Sequence, residues 1–240
     1  MFFETAFTKE KLDNCLKELG KEYRKRSGIK TPAEIILIGG AAILINYGFR
    51  ELTYDVDALV FASSAMKEAI NNVGDRFGLP NGWLNTDFKK TKSFSEKLVE
   101  ISVYYKTFSN TLTVRTVSAE YLIAMKLMSG REYKSDLSDI VGILLEHEQS
   151  GKPISRGDID KAVGILFGGW ELIPNAAKKL LDYAYMSGSH EEVFQEIKKS
   201  ENEAKEALLV FDKAHPGELK AENINEILAQ ARQKQKRNEK

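Results

Sequence analysis

Two aspartates, Asp55 and Asp57, stand one residue apart in the run Tyr-Asp-Val-Asp-Ala-Leu-Val-Phe at positions 54–61. If that run is a strand, alternation places both carboxylates on one face. Carboxylates so close repel, and both stay ionised cheaply only with a cation between them. A hard divalent ion with oxygen ligands, magnesium above all, removes that cost and keeps water or substrate phosphates on its other positions. Gly39 and Gly40 close a short apolar run and open a second one. Lacking side chains, they let backbone N–H groups come close to a phosphate. An acidic pair and a phosphate cradle together describe phosphoryl or nucleotidyl transfer. Each half also has a plainer reading: a Gly-Gly turn is often close packing, and an Asp-x-Asp at a strand end is often a solvated turn. The specificity lies in their being joined by one helix.

These residues need a strand, a helix and a second strand in succession. Glu34–Gly39 is short, apolar and rich in isoleucine, which suits a buried strand. Residues 40–49 resume helical spacing, and 54–61 read as the second strand. An amphipathic helix over 8–27 precedes this unit, carrying Leu12, Cys15, Leu16, Leu19 and Tyr23 on one side. Another follows over 63–77, and then a turn-rich loop, Gly-Leu-Pro-Asn-Gly-Trp-Leu-Asn-Thr-Asp-Phe, over 78–88. Residues 97–105 and 111–117 read as two strands of a hairpin turning at Phe108-Ser109-Asn110.

From Ser118, a candidate N-cap with Glu120 in the first turn, the chain reads as helix almost throughout. Further helices are expected over 135–148, 156–166, 175–187, 190–212 and 221–236. The expected fold is α/β (α+β), a small mixed sheet flanked by helices and followed by a helical C-terminal half. The expected division falls at residue 117, between an α/β domain (1–117) and a helical domain (118–240) ending in a basic tail that frays into solvent.

The stretch Gly39–Asp57 resembles the nucleotidyltransferase-fold superfamily. Its signature is a hydrophobic residue, two small residues, a helix and Asp-hydrophobic-Asp-hydrophobic, supplied here by Ile38-Gly39-Gly40 and Asp55-Val56-Asp57-Ala58. More closely it is similar to AbiEii-type toxins and related uncharacterised bacterial nucleotidyltransferases, in which an arginine and a threonine precede the acids, as Arg50 and Thr53 do here. The loop stretch Gly78–Asn85 and the helical stretch Tyr121–Leu145 resemble the latter group as well, so the likeness covers roughly 34–146.

The resemblance implies metal-dependent transfer of a nucleoside monophosphate from a nucleoside triphosphate to a hydroxyl. Asp55 and Asp57 would hold two Mg2+ ions, which clamp the attacking and leaving oxygens. Gly39, Gly40, Arg50 and Thr53 would hold the nucleotide. A third acid on a later strand usually completes such a set, and Glu100 is the candidate, either as that ligand or as a solvent-facing strand residue. Lys126, Arg131 and Lys134 would meet phosphates, with a snorkelling Lys126 as the structural alternative. Asp136 and Asp139, near a helix start, would favour its dipole and pair with Arg131 or Lys134. The acceptor would be a tRNA, a protein or a small molecule, and the setting a bacterial toxin–antitoxin or phage-defence pair. The alternative is a non-catalytic antitoxin or binding partner that keeps the fold.

Charge balance narrows the classes. Thirty-five basic residues face 35 acidic ones, so no global field favours nucleic acid, and a pure RNA-binding module is the least supported reading. The single cysteine, Cys15, excludes an internal disulfide. No signal peptide and no long apolar run are present, so the expected location is the cytoplasm, with no membrane partner. Trp83 is expected to anchor the core, with stacking on a base as the functional alternative.

Overall fold

The computed structural model describes residues 6–220 and 222–238, except for the side chains of 234–238. Helix α1 (Lys9–Ser27) begins at Thr8, whose side chain accepts from the Lys11 amide, and buries the predicted Leu12–Tyr23 stripe. Strand β1 (Ala33–Leu37) leads into α2 (Gly39–Asn46), then β2 (Val56–Phe61) and α3 (Ala65–Phe77). Next come β3 (Leu84–Asn85), β4 (Ser102–Phe108) and β5 (Leu112–Val117). The five strands lie in the order β3-β2-β1-β5-β4. β1 is central, antiparallel to β2 and parallel to β5, which explains why it is buried and almost wholly apolar.

The β4–β5 hairpin turns where expected. Ser109 and Asn110 both have positive φ, 54° and 53°, and the Thr111 amide donates to the Phe108 carbonyl. This is the two-residue positive-φ geometry that matches strand twist, with asparagine tolerant of it. At Gly20 a Cβ would lie 2.9 Å from the Phe108 Cβ, so the glycine lets α1 settle against the end of β4.

Two sequence expectations require correction. The turn-rich loop over 78–88 contains β3, which adds to the sheet beside β2 in parallel register, Val56 with Leu84 and Asp57 with Asn85. A strand of two residues is too short to show alternation. The strand expected from Lys97 starts only at Ser102; Glu96–Leu98 form a 3-10 turn that buries Leu98, and Val99–Ile101 continue as turn. The Ser102 hydroxyl donates to the Val99 carbonyl and closes that turn.

The helical half comprises α4 (Ala119–Ser129), α5 (Asp136–Gln149), α6 (Arg156–Phe167), α7 (Asn175–Met186), α8 (His190–Ala214) and α9 (Ile224–Asn238). Ser118 stands at the N-cap of α4, but its hydroxyl bonds Glu120 rather than a backbone amide. One buried cluster runs from α1 through the sheet into α4–α8, and a smaller one joins the end of α8 to α9 under Tyr133. Trp83 belongs to the large cluster: its indole N–H donates to the Ile70 carbonyl, and the ring stacks on Phe7. Apart from Arg232, which pairs with Glu132, the basic side chains of the tail lie outside the described residues. Among the described residues no helix is long and apolar enough to cross a membrane.

Candidate active site

Where β1 ends, the Ile38 amide donates to the Asp57 carbonyl at 3.0 Å, tying the Gly-Gly corner to the acidic strand. Gly39 takes φ +56°, a left-handed value that side chains resist, and its missing Cβ would point at Asp57 Oδ2 from 4.0 Å. Gly40 is needed for another reason. A Cβ there would sit 2.6 Å from Thr53 Oγ1 and 3.0 Å from Arg50 Nη2. Gly40 therefore packs closely, as the plain reading has it, and Gly39 opens a helix beside the acids. The Ile38 side chain cannot cap α2, so among the described residues its first amides have no side-chain acceptor.

Thr53 shapes the approach to the aspartates. Its hydroxyl donates to the Asp55 carbonyl, and its backbone forms an isolated two-way bridge with Phe7. Asp55 is exposed just before β2, and Asp57 is half-buried within it. Neither carboxylate forms an ion pair among the described residues. Burial, and then the Asp55 charge, push the Asp57 carboxyl above its usual range, against the pull of Lys134, Arg131 and Lys126.

The acids open onto a cleft of about 450 Å³, lined on the near side by Gly39, Gly40, Asp55 and Asp57. The far side comes from α4, from the turn into α5, and from the segment after β3, which contributes Asp87 and Lys92. Beneath that wall lies a buried ionic network. Lys126 Nζ lies 2.7 Å from Asp136 and 2.8 Å from Asp139. Arg131 Nε meets Asp136 at 2.8 Å, and Arg50 Nη1 meets Asp139 at 2.5 Å. Burial alone would raise Asp136, but Lys126 and Arg131 overcome it and hold that carboxyl far below the ordinary range. Burial alone would lower Lys126, and Asp139 and Asp136 raise it instead.

The structure thus brings Gly39, Gly40, Arg50, Thr53, Asp55, Asp57 and Lys126 to one cleft. Two of these do more structural work than expected. Arg50 ties the loop before β2 to α5, and Lys126 is saturated by two carboxylates rather than free or snorkelling. Of the expected partners of Asp136 and Asp139, Arg131 is engaged, whereas Lys134 forms no ion pair among the described residues and stays open to the cleft.

Glu100 does not join the site. It is exposed in the turn before β4, at the opposite edge of the sheet from the strand that carries the acids, and it does not line the cleft. The alternation that suggested it fails because that segment is not yet strand. Among the described residues no group of three or more His, Cys, Asp or Glu is placed to hold a metal. Beside Asp57, in register on β3, stands an amide, Asn85, and not an acid. Sequence reading missed Asp87 and Lys92 because their segment carries no periodic signal; Asp87 is paired with Lys90 at 2.7 Å.

Comparison with known proteins adds one result. No curated protein and no solved structure matches the chain. Residues 14–150, from the middle of α1 to the end of α5, match the model of a family described as nucleotidyltransferase of unknown function (DUF6036). The chain belongs to this family of nucleotidyltransferases, whose function is unknown.

Proposed function

We propose that the protein is a magnesium-dependent nucleotidyltransferase that moves a nucleoside monophosphate from a nucleoside triphosphate to a hydroxyl acceptor. The observation that carries this reading is the Asp55–Asp57 couple, unpaired among the described residues, beside the glycine-opened start of α2 on one wall of a cleft whose other wall carries Lys92, Arg131 and Lys134. The acids fit Mg2+, an ion commonly held by one or two carboxylates with substrate phosphates and water completing its shell. Bound there, Mg2+ would supply charge neutralisation for the triphosphate. The protein's own groups do the rest. The first amides of α2 face the phosphates with the positive end of the helix dipole. On the other wall Lys134 and Lys92 offer ammonium groups that are unpaired among the described residues, and Arg131 a partly engaged guanidinium. The Lys126–Asp136–Asp139–Arg50 network holds both walls at a fixed separation.

The test is transfer of radiolabel from α-labelled nucleoside triphosphates in the presence of Mg2+. Asp55→Ala with Asp57→Ala is expected to abolish transfer while the circular dichroism spectrum and thermal midpoint stay unchanged; full transfer by that folded variant would defeat the assignment. A second reading is a fold-retaining partner that binds nucleotide without transferring it. The observation favouring it is that no third acid joins the pair among the described residues. It predicts Mg2+-dependent triphosphate binding with no labelled product. The toxin–antitoxin or phage-defence setting is proposed on the sequence resemblance, and co-expression with neighbouring reading frames, scored by growth, tests it.

A further inference from the structure

A second groove, of about 880 Å³, opens beside the cleft. The two share Arg50, Thr53, Asp55, Lys134 and Ser135, so Asp55 stands where they meet. One bank is the loop leading to β2, and the other is α8 with the start of α5. If nucleotidyl transfer occurs at Asp55 and Asp57, the acceptor must reach the α-phosphorus from the side opposite the departing pyrophosphate. The cleft, of about 450 Å³, falls in the range of small-ligand sites, and the groove supplies a second entrance beside Asp55.

The lining points to the acceptor's chemistry. Leu52, Tyr54 and Leu209 present large apolar side chains that are 41%, 45% and 54% exposed. Among them stand charges of both signs, Lys198 and Lys205 against Glu51 and Asp212, and none of these four is in an ion pair among the described residues. Lys198 and Lys205 lie instead over the rings of Phe194 and Tyr54, at 5.5 and 5.9 Å. A nucleic-acid groove tracks a polyanion and is cationic throughout. Apolar walls carrying both signs match a polypeptide. We propose that this groove receives an extended polypeptide segment bearing the acceptor hydroxyl, a serine, threonine or tyrosine flanked by apolar residues. The hydroxyl oxygen bonds to the α-phosphorus, the bond from that phosphorus to the bridging oxygen of the β-phosphate breaks, pyrophosphate leaves, and the hydroxyl proton passes to water.

This inference rests on the proposed transfer reaction, and the experiment separates the two. The full chain is given Mg2+, the four α-labelled nucleoside triphosphates, a peptide library with a central serine, threonine or tyrosine, and a mixed-sequence oligoribonucleotide with a free 3′ hydroxyl. Triphosphate binding is measured separately by equilibrium dialysis. The expected result is label on apolar-flanked peptides about tenfold or more above the oligoribonucleotide. Leu209→Asp, and independently Leu52→Asp, should cut peptide labelling by about tenfold with triphosphate binding unchanged. Label on the oligoribonucleotide in place of the peptides, or unaltered labelling by both folded variants, would overturn the groove's assignment and leave the transfer reaction intact. Triphosphate bound with no label on either acceptor would overturn the groove's assignment and favour the reading that binds nucleotide without transferring it. Absence of triphosphate binding would bring down both the groove's assignment and the transfer reaction.

Discussion

Replacing Lys126 with methionine removes the ammonium that joins Asp136 to Asp139 and keeps the aliphatic volume. Asp136 is fully buried and Asp139 nearly so, at 0% and 1% exposed, so each would lose a partner where water cannot replace it. Breaking a buried pair from one side costs about 3–5 kcal/mol. Arg131 remains on Asp136 and Arg50 on Asp139, which places the expected loss near the lower bound, about 3 kcal/mol. For a chain of this size that is a fall of about 6–12 °C in thermal midpoint.

The pH dependence has a defined sign. Asp136 has a depressed folded value, so its pairing contributes above the unfolded carboxylate value, about 4, and is lost as pH falls through the folded one. Lys126 has a raised folded value, so its contribution is complete below the unfolded lysine value, about 10.4, and is lost as pH rises through the folded one. The stability gap between wild type and Lys126→Met should therefore be widest between those limits and narrow beyond them. Urea melts across that range, with Asp136→Asn and the double variant to close a thermodynamic cycle, measure it. A gap under about 1 kcal/mol at pH 7, or one that does not change with pH, would show that the network does not hold the cleft wall.

Other outcomes follow from single contacts. Gly40→Ala must displace Thr53 or Arg50 and should cost about 1–3 kcal/mol, read as a lowered urea midpoint. Glu201 is buried where it accepts from the Leu137 and Ser138 amides, and burial pushes its carboxyl up to about 7. A raised acid contributes fully below its unfolded value and loses that contribution as pH rises through the folded one. Wild-type stability should thus fall by up to about 3 kcal/mol between pH 4.5 and 7, and Glu201→Gln should flatten the profile. Cys15 is fully buried and its thiol is pushed up to about 11 by burial, so a disulfide reagent at pH 8 should titrate it only after denaturation. Glu100→Gln, in an exposed turn away from the cleft, should leave any transfer activity and the thermal midpoint unchanged.

How much of this was legible depends on the sequence distance over which each feature is built. The strand–Gly-Gly–helix–strand unit is local, and periodicity over Glu34–Phe61 places Gly39, Gly40, Asp55 and Asp57 together with no knowledge of the rest. The likeness to the nucleotidyltransferase-fold superfamily has its strongest motif in that same unit and agrees with the family match. The far wall is not local. Arg50 reaches Asp139 across 89 positions, and Glu201 reaches the start of α5 across 64, so no window of sequence carries either pairing. Lys126 shows why the composition of a segment misleads. A lone lysine in an apolar helix reads as a group reaching for solvent or substrate, but two acids one turn apart at the start of α5 draw it inward. Glu100 fails in the opposite way: its neighbours alternate like a strand, but burial of Leu98 commits them to a turn. The groups that face the cleft unpaired among the described residues are therefore of two kinds: Asp55 and Asp57, conspicuous in the sequence, and Lys134 and Lys92, which residue spacing alone does not single out from other surface lysines. The cations of the far wall offset only part of the push that burial and the Asp55 charge give the Asp57 carboxyl.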